Sequence, residues 1–68
     1  MIEVKGGWAQ WDWSIKTYRA QIGDDVYGNF TDEIPDLESL EALLSGKGVF
    51  LSEQDRADLT AENALENE

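Results

Sequence analysis

Sixty-eight residues without a cysteine make one small domain, with no disulfide and no thiolate metal site to hold it together. Histidine is absent too, which excludes Ser-His-Asp and Cys-His nucleophilic machinery and histidine general catalysis. A net charge of −10 and a pI near 4.1 exclude direct binding to nucleic acid or anionic lipid, both of which repel such a chain.

A domain of this size buries only about 60% of its unfolded surface, so its bulkiest side chains decide the fold. All three tryptophans lie between Trp8 and Trp13, in the stretch 8–22 that also holds Tyr18, Lys16 and Arg19. No apolar run approaches the ~20 residues a membrane helix needs, and the N-terminus lacks a basic-then-apolar signal pattern. A soluble cytoplasmic protein is expected.

In chain order, Ile2 and Val4 alternate with Glu3 and Lys5, the pattern of a short strand. Gly6 and Gly7 suit a two-residue hairpin turn. Two periodicities compete in 8–22. Trp8, Trp11, Ile15, Tyr18 and Ile22 fit a helical face, whereas Trp11, Trp13, Ile15 and Thr17 alternate as in a strand. Aromatic and β-branched enrichment between glycine turns favours a strand over 10–22. Trp11, Trp13 and Ile15 would face the core, and Asp12, Ser14, Lys16 and Tyr18 the solvent. Gly23, Asp24 and Asp25 signal a second turn. A third strand over 26–30 would put Val26 and Phe30 on one face, with Gly28 allowing a bulge or a close approach.

The first helix is predicted to start near Pro35 and Asp36. Leu37, Leu40 and Leu44 form its buried stripe with Leu43 beside them, and Glu38 and Glu41 point outward. Gly46 would end it in the left-handed cap position, with Lys47 near the negative end of the helix dipole. Val49, Phe50 and Leu51 make a minor strand or an apolar anchor. Ser52 is a suitable N-cap for a second helix, with Glu53 and Asp55 in its first turn. That helix would align Ala57, Ala61 and Leu65 on one side and Asp55, Asp58, Glu62 and Glu66 on another. Like charges at this spacing oppose a helix, so its last turn should fray and the final three residues should be loose. The predicted fold is α+β: a small antiparallel three-stranded sheet packed with two helices in the order β-β-β-α-α.

Chemistry is sparse. Carboxylate pairs could run glycosidase chemistry, but nothing fixes two acids at a set separation in so short a chain. Residues 24–29 miss the EF-hand spacing, and the glycine pairs at Gly6 and Gly48 lack a phosphate-loop motif. Tryptophans can stack on single-stranded bases, yet the negative field opposes the phosphates that dominate such binding. No residue is assigned to catalysis, a cofactor or a metal, and the chain reads as a non-enzyme. Trp11 and Trp13 read as core; Trp8, beside the first turn, is core or an exposed anchor for a protein partner.

The acids carry the functional signal. Residues 1–22 sum to +1, whereas 23–68 hold thirteen acids against Lys47 and Arg56 and sum to −11. A basic partner is the natural complement. Asp24, Asp25, Asp32, Glu33, Asp36, Glu38, Glu41, Asp55, Asp58 and Glu62 fall on predicted turns and outward helix faces, and are the candidate partner-binding residues. Carboxylates one helical turn apart stand about 5–6 Å from each other, near the spacing of successive phosphates on a strand. In size, acidity and α/β pattern the chain resembles the small phage-encoded inhibitors that mimic DNA, among them several anti-CRISPR proteins. These share no motif, so the resemblance assigns no residue. It implies an inhibitor that blocks the basic DNA-binding surface of a nucleic-acid-handling complex, such as a CRISPR Cascade complex or a nuclease. The rival reading is an acidic adaptor or phage accessory protein that binds a protein partner through its aromatic surface.

Overall fold

A computed structural model describes residues 1–65. The chain forms β1 (Ile2–Val4), β2 (Gly7–Asp12), β3 (Thr17–Ile22) and β4 (Asp25–Tyr27), then α1 (Leu37–Ser45) and α2 (Glu53–Leu65). The class is α+β as the sequence predicts, but the sheet has four strands, an antiparallel meander in the order β1-β2-β3-β4. The extra strand arises because 10–22 is two strands, not one. The Asp12 carboxylate accepts a hydrogen bond from the Ser14 amide at 2.9 Å, reversing the chain, and Trp13–Lys16 become a turn with Lys16 at φ 55°. The reversal changes which side chains are buried. Tyr18, expected in solvent, is buried, whereas Trp13 and Ile15 are only half-buried in the turn.

Two boundaries also shift. Gly7 already pairs with Val4, so the first hairpin closes on Lys5 and Gly6. β4 stops at Tyr27, because Gly28 turns left-handed (φ 82°) and passes against the Tyr18 carbonyl. That close approach was expected of Gly28; Phe30 was expected to share a strand face with Val26, but it lies beyond β4, and both side chains are exposed.

Register sets two different sheet faces. Ile2, Ala9, Ala20 and Tyr27 align across the four strands on the inner face. Ala9 and Ala20 are fully buried, and their small side chains leave room above the sheet for Leu40, Leu44 and Leu59, also fully buried. Glu3, Trp8, Gln21 and Val26 align on the outer face, where none is buried. Both helices therefore cover one face and leave the other open.

Asp36 caps α1, its carboxylate accepting from the Ser39 amide at 2.8 Å, and this bond holds its pKa below the ordinary value. Of the predicted stripe, Leu40 and Leu44 are buried, whereas Leu37 is only half-buried at the start of the helix. Gly46 is not left-handed (φ −64°); the reversal falls on Gly48 (φ 76°), and the Val49 amide returns to the Leu44 carbonyl at 2.9 Å. Val49 is buried and forms no strand, so its segment is an anchor. Ser52 and Asp55 cap α2 reciprocally: the Asp55 amide donates to Ser52 Oγ at 3.1 Å and the Ser52 amide to Asp55 Oδ2 at 3.2 Å. The expected loose end at 66–68, with Glu66, lies outside the described residues.

Candidate functional site

Layering separates charge. The sheet half, residues 1–27, holds four acids against three bases, whereas 28–65 hold nine acids against Lys47 and Arg56. On the open sheet face Asp12 pairs with Arg19 at 3.4 Å. The Asp12 pKa is lowered, first by the Ser14 hydroxyl bond and further by the Ser14 amide and Arg19. The anionic side of the molecule is thus the helical layer and the loop leading into it.

The ten candidate acids do not form one surface. Asp24 and Asp25 lie at the β3–β4 turn, beside Gly6. Ile34, flanked by Glu33 and Pro35, is bonded to Thr17 and Tyr18 at the other end of β3. Six strand residues span about 17–20 Å, so Asp24 and Asp25 are far from the Glu33 group. Three of the ten are spent on the fold. Asp36 and Asp55 are helix caps, and Glu62, placed on an outward face by the spacing argument, turns inward instead.

Glu62 turns inward because β1 is too short. Its register ends at Ile2 opposite Ala9, so 10–12 of β2 run past it with an unpaired edge. Glu62 Oε1 accepts the Trp11 amide there at 3.0 Å, and its other oxygen pairs with the N-terminal ammonium. The Glu62 carbonyl accepts Trp13 Nε1 at 3.2 Å, and Asn63 donates to the Tyr18 hydroxyl at 3.3 Å. Trp11 packs edge-on against both Trp13 and Tyr18, with centroids 5.3 and 4.7 Å apart. α2 is held to the sheet by Leu59 and these polar contacts, not by the alanines at 57 and 61.

Seven of the ten stay exposed, and the densest group among them is at the start of α1. Asp32, Glu33 and Glu38, with the cap Asp36, are four acids within seven residues at the entry to α1, all exposed. Glu41 is paired with Arg56 across the helices at 3.4 Å, and Asp58 accepts from Gln54 at 2.9 Å. Between the helices runs an open, largely apolar groove of about 500 Å³, lined chiefly by Leu37, Ala57, Thr60, Ala61 and Ala64, with Glu53 and Arg56. The sequence aligned Ala57 and Ala61 on one side of α2 without showing whether that side faces the sheet or the solvent, so the groove was not visible in it. The signal available was Leu59, the one leucine of the first three turns of α2.

Lys47 stands with its ammonium 5.5 Å from the Tyr27 ring centre, and its pKa is raised, chiefly by Tyr27 and last by the charge of Asp25. Among the described residues no group of three or more acids is placed to hold a metal ion, and no helix is long and apolar enough to cross a membrane. No protein-family model, curated protein or solved structure matches the chain.

Proposed function

We propose that this protein is a non-catalytic inhibitor whose anionic helical side occupies the basic DNA-binding surface of a nucleic-acid-handling complex. The supporting observation is the segregation of charge by layer: a nearly neutral sheet half backs a helical half that holds nine acids and two bases over 28–65. At the α1 entry and the start of α2, Asp32, Glu33, Glu38 and Glu53 are exposed and lie outside the capping and ion-pair contacts described above, so they can meet Lys and Arg. Association driven this way is fast and weakened by salt. A CRISPR Cascade complex or a nuclease would offer such a surface.

Capture from a host lysate at low salt, followed by elution with duplex DNA, tests the reading. The captured complex should be released by DNA or by salt. A variant with Asp32, Glu33, Glu38 and Glu53 changed to Lys should fold yet capture nothing. Undiminished capture by that variant would refute the proposal.

A second reading, an acidic adaptor, draws support from Phe30 and Phe50, which are 79% and 75% exposed, and from the uncovered sheet face around Trp8. Its complex would survive both salt and charge reversal.

A further inference from the structure

α2 buries its more polar side. At about 100° per residue, Ala57, Ala61 and Ala64 fall within an arc of roughly 60°, and Leu59, Glu62, Asn63 and Asp55 occupy the opposite side. The sheet takes the second set, through Leu59 and the polar contacts of Glu62 and Asn63. The alanine stripe is left exposed, alongside Leu37 of α1, as the floor of the groove. An exposed stripe of short side chains lets another helix come within the 8–10 Å of close helix packing.

Charge identifies the occupant. Glu53 lines the groove, Asp36 and Glu38 bracket Leu37 in sequence, and the Arg56 charge is already matched by Glu41. The surroundings are therefore anionic over an apolar floor. A second copy of this chain, itself at −10, would be repelled. We infer that the groove between α1 and α2 seats a basic amphipathic helix of the partner, its small apolar face on Ala57, Ala61 and Ala64 and its Lys/Arg flanks toward Glu38 and Glu53. This rests on the DNA-blocking function proposed above and makes it specific: the captured element is a basic helix at the partner's DNA-binding surface. The binding mode is helix-in-groove, steered by rim charge.

The test uses two fluorescent synthetic peptides of about 18 residues, five helical turns. One arranges Lys, Ala and Leu amphipathically; the other has the same residues shuffled so that no apolar face forms. Anisotropy titrations of the full chain should show the amphipathic peptide binding about tenfold or more tightly than its isomer. Amide shifts should concentrate at Ala57, Thr60, Ala61 and Ala64. Ala61→Glu adds a negative charge while filling the groove, so pure charge attraction predicts tighter binding and seating in the groove predicts a loss of about tenfold. Circular dichroism checks that the variant keeps its fold. Equal binding of both peptides, or unweakened binding to Ala61→Glu, overturns the inference. If binding is then still lost in Glu38→Lys/Glu53→Lys, the acidic-surface function stands without the groove; if it is not, both fall.

Discussion

Replacing Glu62 tests how α2 is held to the sheet. In Glu62→Ala the Trp11 amide loses its acceptor at a place where β1 does not reach, and a partly buried N–H is left without a partner. A hydrogen bond to a charged acceptor contributes about 1.5–3 kcal/mol. The Glu62 side chain is 22% exposed, so water recovers part of that. The ion pair with the N-terminal ammonium, 58% exposed on its own side, adds at most about 1 kcal/mol. The expected loss for the alanine variant is therefore about 1.5–3 kcal/mol. For a domain of this length, each kcal/mol lowers Tm by about 4–8 °C.

Glu62→Gln separates the two contributions. The amide oxygen of glutamine still accepts from Trp11, so only the charge is lost, and the expected cost is under about 1 kcal/mol. Urea unfolding followed by tryptophan fluorescence gives both values, and the near-ultraviolet dichroism of the Trp11–Trp13 pair reports whether α2 has lifted. If the glutamine variant is as unstable as the alanine variant, charge rather than the Trp11 hydrogen bond anchors the helix. If neither is destabilised, the polar docking of α2 is wrong.

Gly28→Ala should destabilise the domain by about 2–4 kcal/mol, since a Cβ there would stand 1.9 Å from the Tyr18 carbonyl oxygen in a left-handed backbone; an unchanged thermal melt would contradict this packing of the loop after β4. Acid titration of stability should be two-signed. As pH falls toward the pI near 4.1, self-repulsion is relieved and Tm should hold or rise. Asp12 and Asp36 have folded pKa values below their unfolded ones, so their contribution is present above the unfolded pKa near 3.8 and is lost as pH falls through the folded values. A Tm that falls steadily from pH 7 to 5 would show that repulsion is not the limiting term.

The helical half of the fold was legible because its signals are local. The proline before Asp36 and the leucines at 37, 40 and 44 signal α1 locally; that Pro35 stays outside the helix and Asp36 is its cap was not read from the sequence. Ser52 and Asp55 signal the start of α2 in the same local way. The aromatic strand misled because alternation from Trp11 to Thr17 has the same pattern whether the chain runs straight or reverses; the deciding bond, from the Ser14 amide to Asp12, is a turn signal that the tryptophans masked. The candidate site was harder to read because it depends on the rotation of α2. Three alanines outnumber one leucine, but Leu59 removes more apolar surface from water than any of them, and the free β2 edge gives Glu62 a partner that sequence spacing cannot reveal.

That rotation ties the fold to the proposed activity. Had α2 turned its alanines to the sheet, Glu62 would have joined Asp58 on the surface and the Trp11 amide would have gone unpaired. The observed orientation spends one acid on the sheet edge and leaves an apolar floor facing out, lined also by Glu53 and Arg56. A smooth anionic surface attracts any cation, whereas a floored groove with charged rims discriminates by shape, because a partner must present short apolar side chains and basic ones at helical spacing together. Exposed alanines cost the free protein little, since each presents only a small apolar area. A long apolar stripe in the same place would hold the partner more tightly but would leave the free chain prone to association. Under the proposed function, the rim would supply attraction and the alanine floor selectivity.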